Sequence, residues 1–191
     1  MAFRIMNSII IRVGGLAVIV GGVLFVGAPL VSRYLPHALS IDAMFVLLIV
    51  ALLLMPVGMV GFHTLQGRRY GRIGFASCWL TVVASLVVAW GAADFFIWGD
   101  VLQEAPPPWL AWGLGGLLVG FVLYGVATLQ ARVLPRWCGV VFIVALPAAL
   151  GSGNFGPFAA AFMVFGLAWL ALGYALWASR RTPSGRPSRV R

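Results

Sequence analysis

The sequence predicts an all-α membrane protein with six transmembrane helices. Of its 191 residues, 62% are hydrophobic and only 9% are charged, whereas a soluble domain is about half apolar and about a quarter charged. A soluble chain of this length lacks the polar surface needed to cover so much apolar material. The apolar residues also fall into six runs separated by short polar segments, as expected when lipid is the solvent for most of the chain.

The runs are interpreted one by one from their lengths and boundaries. A short amphipathic lead, residues 1–12, is predicted to lie in the membrane interface. The run that follows it is too long for the hydrophobic part of a signal peptide, and no A-x-A-like cleavage site follows, so we predict an uncleaved span. Ser40 is a plausible N-cap for the second helix, and Pro56 predicts a kink within it. The predicted spans are residues 13–31, 43–63, 73–98, 109–130, 135–152 and 157–177.

The fifth apolar run is too short to cross a bilayer by itself. Residues 137–150 contain Pro147, and about 20 apolar residues are the usual requirement for a span. The run crosses only if residues 134–136 and 151–153 join the helix. A re-entrant segment is the alternative.

Two segments outside the spans have compositions that disfavour regular structure. Residues 99–108 carry two acids and three consecutive prolines, which predicts an exposed, stiff connector on one side of the membrane. Residues 178–191 are rich in arginine, proline and serine, which predicts a disordered basic tail.

The distribution of charge predicts the orientation of the helices. All thirteen basic residues are arginines, and twelve of them lie in the lead, in the loops after the second and fourth spans, or in the tail. All four acids lie at the opposite boundary, where Arg33 is the only arginine. The positive-inside rule therefore predicts that both termini are cytoplasmic, in a bacterial-type inner membrane. The acids are Asp42, Asp94, Asp100 and Glu104.

The net charge of +9 is also typical of nucleic-acid-binding proteins. Here the arginines lie in short loops and a tail, with no folded soluble part to present them to a duplex, so no nucleic-acid partner is expected. The predicted partner is the anionic inner leaflet, to which each near-surface arginine contributes about 1 kcal/mol. The arginines predicted to contact lipid headgroups are Arg68, Arg69, Arg72, Arg132 and Arg136.

Residues 61–72 and 125–136 share a pattern that suggests repeats. Both segments read Gly-x-x-Thr-Leu-Gln-x-Arg-x-x-x-Arg, and residues 173–180 follow the same outline more weakly. With an even number of helices, this predicts three two-helix hairpins related by an axis along the membrane normal. The alternative is that helices leaving the cytoplasmic side converge on one polar boundary. The identical pairs are Gly61/Gly125, Thr64/Thr128, Leu65/Leu129, Gln66/Gln130, Arg68/Arg132 and Arg72/Arg136.

The polar residues within the spans give few candidates for chemistry. Asp94 is an acid near the end of the third span, where it is interpreted as a solvated boundary residue or, alternatively, as a charge at the mouth of a cavity. Ser77, Thr81 and Ser85 share one face of the same helix, and they either line a polar path or pack closely against small residues of the fourth helix. The packing interpretation pairs this face with Gly116 and Gly120.

No set of residues predicts catalysis, a metal or a cofactor. His63 is interpreted as an interfacial polar residue, because His37 lies on the opposite side and the pair cannot ligate one haem. Cys78 and Cys138 each lie inside an apolar run without CxxC spacing, so neither a metal site nor a disulfide is expected. Intramembrane hydrolysis would need paired acids, Ser/Lys or a zinc set within a span.

These observations predict a non-catalytic multi-pass protein that serves as an accessory or structural subunit. Its glycine-rich helices and lack of a soluble domain favour packing against a larger membrane protein or a second copy. The alternative is a small transporter or channel with a cavity between hairpins and Asp94 near its outer mouth.

Overall fold

The described chain is entirely helical, which confirms the predicted fold class. The structure, a computed structural model, describes residues 2–34, 40–95, 107–153 and 158–178. Most of the predicted connector and the basic tail beyond residue 178 lie outside these residues. The helices are α1 (Ala2–Tyr34), α2 (Ile41–Gln66), α3 (Gly71–Ala93), α4 (Pro108–Ala131), α5 (Arg136–Gly153) and α6 (Phe158–Ala178), and a 3-10 turn (Gly67–Tyr70) joins α2 to α3.

Five of these six helices are long and apolar enough to cross a membrane, namely α1, α2, α3, α4 and α6. Helix α5 has 18 residues, which corresponds to roughly 27 Å at the usual helical rise. It contains Pro147 and includes Arg136 and residues 151–153, whereas Leu134 and Pro135 lie outside it. A full crossing by α5 stays a prediction. The protein is therefore a multi-pass helical membrane protein.

The helix boundaries agree with most of the local signals. The Ser40 side chain accepts a hydrogen bond from the Ala43 amide at 3.2 Å, which confirms the predicted N-cap of α2. Pro56 lies inside α2, which continues to its end at Gln66. Helix α1 runs from Ala2 without a break, so the predicted interfacial lead and the first span form one helix. Helix α3 covers Gly71–Ala93, and its predicted boundary at residue 98 lies outside the described residues.

The six helices form a closed ring in which each helix packs against its neighbours in sequence, and α1 closes against α6. The contacts are antiparallel: Gly15 of α1 lies beside the Trp177 backbone of α6, and Gly22 lies beside Gly166. The start of α1 and the ends of α2, α4 and α6 consequently lie at one end of the ring. We call it the arginine end, because it carries the exposed residues Arg12, Arg69, Arg72, Arg132 and Arg136.

Glycines allow close backbone contact at three of the helix crossings. A Cβ added to Gly14 of α1 would lie 2.7 Å from Gly61 Cα of α2. Similar contacts join Gly22 to Gly166 and Gly125 to Gly139. Because hydrocarbon provides no hydrophobic drive for helix association, such close packing is the main attraction between helices in a membrane.

Helices α3 and α4 pack through the faces that the sequence suggested. A Cβ on Gly120 would lie 2.5 Å from Thr81 Oγ1 and 3.1 Å from the Thr81 amide nitrogen. A Cβ on Gly116 would lie 3.1 Å from the Ala84 side chain. The prediction that these small residues form a packing seam is confirmed.

Large side chains fill the centre of the ring. Phe62 of α2 contacts Phe142 of α5 edge-to-face, with ring centroids 5.2 Å apart. Phe121 of α4 contacts Trp169 of α6 at 5.7 Å. The core is thus built from aromatic groups that meet across the ring, from helices that are not neighbours. The largest fully buried side chains are Trp169, Tyr124, Phe25, Phe62, Phe121, Phe142, Met55, Met59, Leu117, Leu172, Leu176 and Gln66.

Candidate functional site

A polar contact joins the two Thr-Leu-Gln segments inside the ring. Gln66, the last residue of α2, is only 2% exposed. Its Nε2 donates a hydrogen bond to Thr128 Oγ1 of α4 at 3.0 Å. Thr128 is equally buried. The glutamine of the first segment therefore binds the threonine of the second, near the arginine end.

The 3-10 turn after Gln66 brings Tyr70 beside this contact. Gly67 begins the turn and Gly71 follows it, with φ values of +58° and +67°, which residues with a side chain rarely adopt. The Tyr70 ring lies against Gly74, where a Cβ would overlap the ring carbons. Tyr70 is buried as a result. Its ring also packs edge-to-face against His63 and Tyr124, with centroid distances of 5.5 Å and 5.9 Å.

Several polar atoms at this position have no hydrogen-bond partner within the described part of the chain. They are Gln66 Oε1, Tyr70 Oη, Tyr124 Oη and His63 Nδ1, and each is buried. An unsatisfied buried polar group costs about 1–3 kcal/mol, and such groups are rare in folded proteins. We call Gln66, Tyr70, Tyr124, Thr128 and His63 the polar cluster. It is the candidate site.

The surroundings of the polar cluster are positive. Among the described residues, exposed arginines occur in both loops next to the cluster, whereas the acids Asp42 and Asp94 lie at the opposite end of the ring. The cluster itself contains hydroxyl, amide and imidazole groups but no carboxylate, lysine or arginine. It can therefore hydrogen-bond a neutral polar group, with positive charge in the adjacent loops.

Asp94 lies far from the polar cluster. It caps the C-terminal end of α3, where its amide donates to the Gly91 and Trp90 carbonyl oxygens, and it is half-buried. The 23 residues of α3 separate it from the turn that carries Tyr70, a distance of roughly 35 Å along the helix. The structure does not bring Asp94 together with any other predicted site residue.

The hydroxyl groups on one face of α3 donate hydrogen bonds to carbonyl oxygens of the same helix. Ser77 Oγ donates to the Gly74 carbonyl oxygen at 3.0 Å, Thr81 Oγ1 to that of Ser77 at 2.8 Å, and Ser85 Oγ to that of Val82 at 2.8 Å. All three hydroxyl residues are buried in the seam with α4.

The two cysteines, Cys78 and Cys138, are buried free thiols. In the described ranges, no group of three or more His, Cys, Asp or Glu residues is placed to hold a metal ion.

The arginines predicted to meet lipid lie in the loops at one end of the ring. Arg69, Arg72, Arg132 and Arg136 are exposed at the arginine end, and Arg68 lies in the same turn. Their contact with lipid stays a prediction.

Sequence reasoning missed four residues of the cluster as members of a site. Gln66 and Thr128 belong to the shared Thr-Leu-Gln pattern, which we interpreted only as a helix boundary. A glutamine in an otherwise apolar segment was the signal that could have identified them. Tyr70 and Tyr124 carry no such signal, because tyrosine is common at membrane interfaces.

Comparison with known protein families, with curated proteins and with solved structures found no match to this chain.

Proposed function

We propose that the protein is a non-catalytic accessory or structural subunit of a bacterial-type inner membrane. The observation that carries this proposal is the filled interior of the ring. Aromatic side chains from opposite helices, among them Phe62 of α2 and Phe142 of α5, meet at its centre with ring centroids 5.2 Å apart. A packed interior suits a protein that acts through its surfaces.

The absence of catalysis is proposed from the chemistry of the polar cluster. Catalysis of hydrolysis requires a nucleophile with a base, paired acids or a bound metal. The cluster offers amide, hydroxyl and imidazole groups, and among the described residues both acids, Asp42 and Asp94, lie at the opposite end of the ring. Tyr70 and Tyr124 are hydrogen-bonding groups.

A transporter is the weaker alternative, because the residues predicted to serve transport do not lie together along one path. The Ser77, Thr81 and Ser85 hydroxyls already donate to carbonyl oxygens of their own helix. Asp94 lies at the C-terminal end of α3, whereas the polar cluster lies near its N-terminal end. No observation on these residues favours a path for a solute.

The outer face of α3 is the proposed contact surface for a membrane-protein partner or a second copy. Phe75, Trp79 and Val83 are each more than half exposed there, and they follow one another at single-turn spacing. Aromatic side chains are enriched in protein interfaces. The exposed face of α5, which includes Val140 and Val144, is aliphatic at these positions and is proposed to face lipid.

The arginine end is proposed to face the cytoplasm, with both termini on that side. Twelve of the thirteen arginines belong to segments on this side by sequence, as the positive-inside rule requires. A C-terminal tag that is protected in spheroplasts and digested in inverted vesicles would support this orientation; the reverse pattern would refute it.

Photo-crosslinking and flux measurements test the accessory role together. A photo-reactive phenylalanine at Val83 should give one discrete crosslinked protein product in native membranes, whereas the same group at Val144 should crosslink only lipid. Proteoliposomes of the purified protein should show no proton or potassium flux above empty liposomes. A protein-dependent flux that is lost in Asp94→Asn would replace the proposal with the transport alternative.

A further inference from the structure

The unpartnered atoms of the polar cluster point to a ligand. Gln66 and Tyr124 are at least nine-tenths buried, and each has one polar atom without a partner among the described residues. Tyr70 adds a third from the loop side. One molecule placed between these groups could satisfy several of them at once, which would remove a cost that each otherwise imposes.

The chemistry of the cluster selects a hydroxyl-bearing group. Gln66 Oε1 can only accept a hydrogen bond, whereas a tyrosine hydroxyl can donate or accept. A hydroxyl ligand does both, so it can donate to Gln66 and accept from Tyr124. An anion is disfavoured inside the cluster, because no cationic side chain is buried there to offset its desolvation. An ammonium group is disfavoured by the positive charge of the arginines in the adjacent loops.

The exposed arginines add a place for a phosphate outside the cluster. Arg132 follows Thr128 by four residues, which is about 6 Å along a helix, and Arg72 follows Tyr70 by two. Helix ends in a membrane protein lie at the level of lipid headgroups. A phosphate held by these arginines could therefore place an attached glycerol group inside the cluster.

We infer that the polar cluster binds a phosphate ester of a neutral polyol, such as the headgroup of phosphatidylglycerol. The polyol hydroxyls bond Gln66, Tyr70 and Tyr124, and the phosphate lies near Arg72 and Arg132. Entry is past Tyr70, which lies on the loop side of the cluster. The site does not depend on the proposed accessory role.

Lipid binding by the purified full-length protein in a neutral detergent tests this inference. Short-chain phosphatidylglycerol, phosphatidic acid and phosphatidylethanolamine are titrated, and binding is followed by native mass spectrometry. Phosphatidylglycerol should bind about 5-fold or more tightly than phosphatidic acid, since each added hydrogen bond contributes about that factor. Equal binding of the two anionic lipids would overturn the inference.

Substitutions in the polar cluster test whether its residues cause the preference for phosphatidylglycerol over phosphatidic acid. Tyr124→Phe and Gln66→Leu should each lower phosphatidylglycerol binding by about 5-fold and leave phosphatidic acid unchanged. Gln130→Leu is the matched control, because the equivalent glutamine of the second segment is exposed, and it should change neither. If Tyr124→Phe does not fold, Tyr70→Phe makes the same test. An equal loss in Gln130→Leu would overturn the assignment.

Free glycerol phosphate distinguishes the two sources of the ligand. If it competes with phosphatidylglycerol for the wild-type protein but not for Gln66→Leu, the site takes a soluble phosphate ester. If it does not compete while the lipid preference persists, the site takes the lipid headgroup. Both results support the site.

Discussion

The two Thr-Leu-Gln segments have the same residues at six positions but turn opposite faces to the interior of the ring. Gln66 is buried in the first segment, whereas its equivalent Gln130 is exposed. Thr128 is buried in the second segment, whereas its equivalent Thr64 is half-exposed and donates to the Val60 carbonyl oxygen of its own helix. Two residues correspond to about 200° around a helix, so the segments differ by roughly half a turn.

The rotation makes the segments complementary. Because the first presents glutamine and the second presents threonine, they form one hydrogen bond across the ring. Two segments in equivalent orientations would present the same residue twice. The shared glycines also differ, since Gly61 packs on the preceding helix α1 and Gly125 on the following helix α5. Identical letters therefore do not occupy equivalent positions, and the hairpin repeat stays a prediction.

Replacing either shared glycine is expected to have the largest effect on the stability of the protein. Gly61→Leu and Gly125→Leu should each destabilise the protein by about 3 kcal/mol or more, because the added side chains meet backbone atoms that cannot move aside. Thermal melting of detergent-purified protein, followed by size-exclusion chromatography, measures the effect.

The control for this prediction is Gly115→Leu on α4, since a Cβ there meets no atom within 4 Å. It should melt within a few degrees of the wild type. If Gly125→Leu behaved like this control, the α4–α5 crossing would be wrong.

An effect of intermediate size on stability is expected to distinguish Gln66 from Gln130. Gln66→Ala should cost about 2 kcal/mol, because it removes a buried side chain and leaves Thr128 without its partner. Gln130→Ala should stay within about 0.5 kcal/mol of the wild type, as is usual for exposed positions. Equilibrium unfolding in mixed detergent–denaturant compares them, and equal losses would contradict the rotation.

A double-mutant cycle isolates the hydrogen bond between the segments. The coupling between Gln66→Ala and Thr128→Val should be about 0.6 kcal/mol and at most about 1.7 kcal/mol, which are the average and the maximum measured for bonds between membrane helices. The same cycle on Thr64 and Gln130 should give no coupling beyond experimental error.

The smallest effect concerns how each segment ends. The first ends at Gly67, whereas the second ends at Arg132, a non-glycine residue with φ of +51°. Arg132→Gly should therefore stabilise the protein by about 0.5–1 kcal/mol, and Gly67→Ala should destabilise it by about 1–2 kcal/mol. Melting temperatures measure both changes.

Arg132→Ala is the control for the charge, because it removes the guanidinium but keeps the strained backbone. It should lack the gain in stability that Arg132→Gly brings. An equal gain in both variants would mean that charge, and not backbone conformation, limits stability at this position.

The sequence predicted the parts of the fold that depend on the contrast between lipid and water. Apolar runs predicted all six helices, Ser40 predicted the start of α2, and small residues predicted the α3–α4 seam at Gly120. The apolar runs and the N-cap are local signals. The seam could be predicted because small residues allow helices to pack closely almost anywhere in a membrane.

By itself, then, the sequence determined that this is a multi-pass helical membrane protein whose arginines gather at one end. Only the tertiary structure decided which face of each helix points inward, and so that Gln66, and not Gln130, belongs to the polar cluster. The physical reason is that a helix between lipid and a protein core is apolar on both sides. Its pattern of apolar residues carries little information about its inner face. Packing across the ring determines which face of each helix points inward.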